Sequence, residues 1–442
     1  MKLSILTLGS RGDVQPYVAL GRGLQAAGHK VVLVTAEQYG DFVTGHGLDF
    51  APVDRRFLEL TDTTAGQAAF EGRNKMGLFK MVLPAMRQII DDCWAAAQGS
   101  DAIIYHLKML GGYHIAEKLG IPAIKAMPIP VYPTASFTNP VAGRELPKVL
   151  NKLSYAVNDL GKAPFMGIVN DWRQSVGLRP RDRLAAEKRL PDGEVIPVLQ
   201  AYSPLVVANP PDWPAHVTAA GYWFLEGDPT WQPPAELVDF LDAGPPPVYI
   251  GFGSMLFSDP ERKFQILIDA LQRAGQRGII ASGWGLRSAG KYESVYMLDQ
   301  APHDWLFPRM AAVVHHGGAG TTAAGLRAGK PSVIVPFFGD QSFWGRRVHS
   351  LGAGPAPVLQ KKLTVEALAA AIEEAVTGTH MRARAAEIGA AIEAEDGVGE
   401  AVRFIESRLA PGSIRVSPAI GGDRNPISSG QLPGGQQAGN AG

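Results

Sequence analysis

The chain has 442 residues, 46% hydrophobic and 19% charged, with forty-two basic residues balancing forty-two acidic ones. That length accommodates two or three domains, and the balanced charge gives no footing for nucleic acid. The single cysteine, Cys93, excludes an internal disulfide and a cysteine-based zinc site, and it suits a reducing, cytoplasmic setting.

The apolar opening of the chain runs straight into Gly9-Ser10-Arg11-Gly12-Asp13-Val14-Gln15-Pro16. It is too short for a leader and is followed by no small-residue cleavage site, so it reads as a first strand. Residues 18–27 carry a helical pattern, with Gly28 as a stop, and residues 31–34 form a second apolar strand. Further short apolar runs at 102–105, 121–124 and 205–208 read as strands. Residues 126–165 are rich in Pro, Met and aromatic residues and read as loops and short helices, the usual material of a specificity pocket.

A Pro-rich stretch at 226–247 suits a linker. The pattern then restarts with a strand at 248–250, the loop Gly251-Phe252-Gly253-Ser254 and a helix from about residue 261. Strands follow at 278–281, 312–314 and 332–335, and helices at 365–376, 381–392 and 399–409. Strands alternating with helices predict an α/β fold with parallel sheets. The expected organisation is a first domain over 1–225, a linker over 226–247, a second domain over 248–409 and a disordered tail over 410–442. No apolar run approaches the ~18–20 residues of a membrane helix, which leaves peripheral contact as the only form of membrane association expected.

Two glycine loops carry the candidate chemistry. His315-His316-Gly317-Gly318-Ala319-Gly320-Thr321-Thr322 follows an apolar strand and opens a helix. Its glycines permit close backbone approach, and free N–H groups at a helix start attract an anion. No Gly-Lys-Ser/Thr follows, so this is not a P-loop but a candidate diphosphate cradle, with His316 as a further donor. The plainer alternative is a tight strand-to-helix turn. Downstream, Asp340 and Gln341 end a strand and offer acceptors and a donor to a polyol; the alternative is a solvated turn. In the first loop Asp13 is a candidate general base, or simply an N-cap aspartate. Ser254 is a candidate phosphate partner or an ordinary turn serine. No metal-ligand pattern is present, so a leaving diphosphate is expected to be stabilised by helix dipole and side chains.

These motifs resemble the nucleotide-sugar glycosyltransferases. The segment 9–16 is similar to the opening of sterol glucosyltransferases and antibiotic glycosyltransferases. Ala301-Pro302-His303-Asp304-Trp305-Leu306-Phe307, the 315–322 loop and Pro336-Phe337-Phe338-Gly339-Asp340-Gln341-Ser342-Phe343-Trp344-Gly345 are similar to their donor signature. The resemblance covers residues 1–409. It implies a GT-B fold of two facing Rossmann-like domains with a cleft between them. It also implies inverting, metal-independent transfer of a hexose, glucose first among candidates, from a UDP-sugar to a lipophilic, sterol-like hydroxyl. The donor is a co-substrate, and no cofactor or metal is implied.

By position Asp13 becomes the base, and Ser10, Arg11 and Gly12 face the donor. Ser254, His316, Gly318, Ala319, Gly320 and Thr321 face the diphosphate, Asp340 and Gln341 the sugar, and His303 the nucleotide. His106 becomes a candidate helper of Asp13, against the plainer role of a strand-end polar residue. Where many plant members place a stacking Trp this chain has Gln300, which keeps a thymidine donor open beside a uridine one. A macrolide, polyketide, carotenoid or glycolipid acceptor, a dehydrogenase, an enzyme of lipid-linked sugars or an epimerase, and a non-catalytic sugar-nucleotide binder are the competing readings. A monomer and a dimer are both compatible with the sequence.

Overall fold

The computed structural model describes residues 1–54, 75–185, 187–227, 230–253, 255, 257, 259–282 and 292–410, with backbone alone at 75–81. Ser254 and, beyond residue 410, the tail expected to be disordered lie outside the described residues.

Two parallel sheets form the frame. The first contains β1 (Lys2–Leu6), β2 (Lys30–Ala36), β3 (Asp49–Val53), β4 (Ala102–Tyr105), β5 (Ala123–Met127), β6 (Val198–Gln200) and β7 (Val217–Ala219). Its order is β3-β2-β1-β4-β5-β6-β7. The second contains β8 (Val248–Gly251), β9 (Gly278–Ala281), β10 (Val295–Leu298), β11 (Ala312–His315) and β12 (Ser332–Ile334), in the order β10-β9-β8-β11-β12. Each sheet reverses its winding once, between β1 and β4 and between β8 and β11. Loops at the carboxyl ends of strands flanking such a reversal open a crevice, the usual ligand position in α/β sheets.

Both faces of these sheets are covered, which is why the central strands read as unbroken apolar runs. On the first sheet, Leu6, Ile103, Tyr105 and Ala123 pack beneath helices that supply Met86, Ile90 and Trp172. Leu3, Ile5, Val31 and Ile104 on the other face meet α1 (Arg11–Ala26). On the second sheet, Ile250, Ile280, Val314 and Val333 pack against Leu267, Leu271 and Ile372.

The expected strand at 205–208 is not one: those residues form a turn. The Ser203 hydroxyl accepts from the Leu205 N–H at 3.0 Å, and the Ser203 carbonyl accepts from the Val206 and Val207 N–H groups. Val206 and Val207 are apolar because they pack between the domains, beside Leu326, Trp344 and Ile388. The strand expected there lies upstream, as β6. The linker region contains a helix, Ala235–Asp242. The linker itself begins beside Arg327, whose guanidinium lies 4.6 Å over the Phe224 ring and donates to Glu226 at 3.0 Å.

The last helix, Gly397–Leu409, belongs by sequence to the second half, yet it packs on the first sheet. Ala401, Val402 and Ile405 join the core around α1. The chain crosses back through a tight backbone contact. A Cβ on Gly397 would lie 2.2 Å from the Tyr222 carbonyl oxygen, and backbone cannot yield as a flexible side chain can. Gly397→Ala is therefore expected to destabilise the protein by about 1–3 kcal/mol, as overpacking does. A thermal melt checks this, and an unchanged Tm would show that the crossing is not tight.

Candidate functional site

The first glycine loop is built around Asp13. Ser10 is the N-cap of α1, and Asp13 occupies the third helical position. The Asp13 carboxylate reaches back to accept from the Ser10 N–H at 2.9 Å and the Ser10 hydroxyl at 3.2 Å. This is the return contact of a capping box, so Asp13 supports the helix start from inside it rather than as the cap itself. The Thr7 hydroxyl donates to the Asp13 carbonyl at 2.8 Å. Gly9 has φ +143°, and a Cβ there would fall 2.1 Å from an Asp13 carboxylate oxygen. Glycine is required on both counts.

The second support comes from the neighbouring strand. Leu6 of β1 pairs in register with Tyr105 of β4, so the two strand ends open side by side. His106 and Lys108 follow β4, and the Lys108 ammonium donates to the other Asp13 oxygen at 2.7 Å. Burial works to raise the Asp13 pKa, but the charges of Lys108 and His106 and the hydrogen bonds from Lys108 and Ser10 outweigh it and hold it below the ordinary value. The group is a carboxylate at neutral pH. A carboxylate has about four lone-pair sites, so these contacts leave room for one more donor.

His106 is buried, and its Nδ1 accepts from the Lys108 N–H at 3.1 Å, which leaves the ring proton on Nε2. Burial, with the Lys108 charge, pushes its pKa down to about 4. It is thus a neutral donor beside Asp13.

The second loop opens α2 (Ala319–Arg327) after β11. Gly317 has φ +87°, and a Cβ there would meet Ile334 at 2.6 Å and the Gln341 carbonyl at 3.0 Å. Its N–H donates to His315 Nδ1 at 3.1 Å, which locks the turn. Gly318 is the N-cap, and the first backbone bond of the helix runs from the Thr322 N–H to the Gly318 carbonyl at 2.9 Å. The N–H groups of Ala319, Gly320 and Thr321 precede it and have no intrahelical partner. Beside them His316 Nδ1 is buried without a partner among the described residues. Burial, with His303 adding, pushes the His316 pKa down to about 4. Neutral imidazole and open N–H groups at one helix start are groups that can donate to an anion. His303 stacks on Phe307 at 4.2 Å, and burial together with the Arg11 charge holds it at about 4.

Asp340 caps α3 (Gln341–Ser350) and accepts from the Trp344 indole N–H at 2.7 Å through one oxygen. Burial raises its pKa against the Trp344 bond, and the Asp13 charge raises it further. Gln341 turns inward: its oxygen accepts from the Phe337 and Phe338 N–H groups at 2.7 and 3.2 Å, and its amide donates to Met255 Sδ at 3.4 Å. It holds the 337–339 loop that presents Asp340, and most of its polar capacity is already engaged.

The Asp13 charge raises the Asp340 pKa and the Arg11 charge lowers that of His303, so residues of the first loop lie within electrostatic reach of residues in the second half. Ser10, Arg11, Gly12 and Gly320 stand exposed, and His303, His316, Gly318, Ala319 and Thr321 are half-buried. Lys108 belongs to none of the sequence motifs. It lies ninety-five positions from Asp13, and only the register of β1 with β4 brings them together. A lysine three residues past a wholly apolar strand is the one signal that marks it.

Two family models match the chain: the glycosyltransferase family 28 N-terminal domain over residues 3–138, and the erythromycin biosynthesis protein CIII-like C-terminal domain over residues 290–406. The chain is 39% identical over 436 residues to a sterol 3-beta-glucosyltransferase of Arabidopsis thaliana, covering 95% of this chain and 67% of the relative. It is 38% identical over 433 residues to a sterol 3-beta-glucosyltransferase of Aspergillus oryzae, covering 92% of this chain but 30% of that protein. Among solved structures, the glycotransferase of kitacinnamycin superposes with a TM-score of 0.70 at 18% identity, covering 92% of this chain and 99% of that one. That last likeness is one of fold.

In Lys108→Met the ammonium is lost while burial remains, so the Asp13 carboxyl titrates higher than in the wild type. Carboxyl-carbon NMR across an acid titration reads this, and an unmoved or lowered Asp13 would remove Lys108 as the controlling charge.

Proposed function

The chain belongs to the glycosyltransferase family of the sterol 3-beta-glucosyltransferases, with the GT-B arrangement of two parallel-sheet domains, and we propose that it transfers glucose from UDP-glucose to the hydroxyl of a sterol-like alcohol. The observation that carries this reading is a charged carboxylate facing an anion cradle. Asp13 is held charged and its charge reaches Asp340, and Gly317 of the 316–321 turn lies against the Gln341 carbonyl next to Asp340.

In this reading the donor diphosphate rests on the N–H groups of Ala319, Gly320 and Thr321, with His316 donating from its neutral ring. The free oxygen of Asp340 accepts from sugar hydroxyls, and Gln341 keeps the loop beneath it in place. His303 and Arg11 lie toward the nucleotide. The acceptor hydroxyl donates to the remaining lone pair of Asp13, held opposite the anomeric carbon. As oxygen attacks carbon, Asp13 takes the proton and the bond to the diphosphate breaks. The proton transfer is concerted with attack because a carboxylate is far too weak to deprotonate an alcohol beforehand. Attack opposite the leaving group inverts the anomeric centre. Charge gathering on the diphosphate is met by fixed dipoles, which need no reorganisation and no metal. His106, neutral and donating through Nε2, fixes the carboxylate or the acceptor oxygen. The alcohol's lipophilic body lies toward the first domain.

Asp13→Asn is expected to lower turnover by roughly 10²–10⁴-fold, the usual share of general base catalysis, while UDP affinity by calorimetry stays within a factor of a few. Unchanged turnover would remove Asp13 from the role of base. His316→Ala is expected to weaken UDP binding by about tenfold, one hydrogen bond to a charged group. An unaltered UDP affinity in that variant, or tighter binding of TDP than of UDP by the wild type, would overturn the donor assignment.

A further inference from the structure

Among the described residues eleven large apolar side chains stand exposed, and six of them fall between positions 141 and 160. Exposed apolar residues scattered singly are ordinary, but a contiguous run of them marks an interaction surface. Val149 is 88% exposed, Leu153 68% and Leu160 59%, with Leu150 and Val157 beside them. The segment carries two short helices, Asn151–Ser154 and Ala156–Lys162. Spacings of four, four and three from 149 through 153 and 157 to 160 put these side chains on one side.

The opposite side is polar and faces the protein. Asn151 accepts from the Thr138 hydroxyl at 2.8 Å and donates to the Ala135 carbonyl at 2.9 Å. The Ser154 hydroxyl accepts from the Asn139 N–H at 2.9 Å. Asn158 accepts from the Asn139 amide at 2.9 Å and donates to the Val131 carbonyl at 3.0 Å. The amphipathic pattern is therefore inverted. Polar groups are satisfied inward, and the apolar stripe is held outward against the hydrophobic effect. Turning it inward would break five hydrogen bonds.

The charges around the stripe have one free sign. Glu145 pairs with Arg346 and Asp159 with Lys162, and Lys152 pairs with Asp212. Arg144 and Lys148 are exposed and have no ion-pair partner among the described residues. A stripe of Val and Leu flanked by unpaired cations complements an anionic lipid surface. Among the described residues no helix is long and apolar enough to cross a membrane, so the element lies on the surface rather than spanning it.

We infer that residues 144–160 dock the protein onto an anionic bilayer, with Val149, Leu153, Val157 and Leu160 among the acyl chains and Arg144 and Lys148 on the lipid phosphates. The inference stands on the patch. The acceptor reading adds its use: an alcohol dissolved in a bilayer is taken up beside the cleft. The segment is pinned to residues 131–139, whose Phe137 meets Phe343 of α3 at 5.7 Å, one turn from Asp340.

The test is sedimentation of the full chain with phosphatidylcholine vesicles, with and without phosphatidylglycerol, beside sterol glucosylation in detergent micelles. The wild type is expected to pellet with the mixed vesicles and less with the neutral ones. Leu153→Glu/Leu160→Glu is expected to lose about tenfold or more in partition, as two buried leucines would give, with an unchanged melt and unchanged transfer in detergent. Arg144→Glu/Lys148→Glu is expected to lose the preference for phosphatidylglycerol. A wild type that stays in the supernatant, or a leucine variant that pellets like the wild type, would overturn the inference. So would a wild-type dimer that the leucine variant dissociates while neither binds vesicles, since the stripe then covers a second copy. Vesicle binding without transfer in detergent supports docking and counts against the acceptor reading alone.

Discussion

The Asp13 carboxylate is the constraint around which the cleft is organised. A buried carboxylate is costly unless its charge is met. Here it is met by the Ser10 N–H and hydroxyl and by the Lys108 ammonium. Each support has a structural cause. Ser10 is in place because α1 begins there, and Gly9 because no side chain fits against the carboxylate. Lys108 is in place because β4 lies beside β1 at the reversal of the first sheet. The result is a carboxylate that stays charged although half enclosed, with a lone pair unspent.

The second sheet repeats the geometry with the opposite polarity. Its reversal lies between β8 and β11, and the turn after β11 presents donors rather than a carboxylate. Neither loop completes a site by itself. In the proposed function one offers a proton acceptor and the other an anion cradle, and group transfer from a diphosphate draws on both. The domains are held in that relation by shared packing: Val206, Val207 and Tyr222 of the first lie against Leu326, Trp344 and Ile388 of the second. The returning helix Gly397–Leu409 closes the arrangement by joining the first core.

Much of this is legible in the chain itself. The strands β1, β2, β4, β8, β9, β11 and β12 are short apolar runs because both sheet faces are covered. The helices near the C-terminus show caps and periodicity. β3 was illegible because Asp49 and Pro52 disguise an edge strand, and β6 because three residues leave too short a pattern. Residues 205–208 read as a strand for the reverse reason, since interdomain burial selects the same residue types as a sheet does. In the site, motif residues on one loop were readable as a unit, Asp13 and the 315–322 turn among them. Partners set by strand register were not, as Lys108 shows. Nor could spacing reveal that the Gln341 side chain turns onto its own loop.

The central claim is that a carboxylate on one domain and an anion cradle on the other carry out one inverting transfer to a lipophilic alcohol. The most direct measurement is the structure of the product. Purified protein is incubated with UDP-glucose and a sterol, and the isolated steroid is examined by mass spectrometry and by proton NMR of its anomeric signal. The account predicts a steryl glucoside one hexose heavier than the sterol, with the β configuration from the α-linked donor. An α-glucoside, or UDP release with no glycosylated sterol, would contradict it.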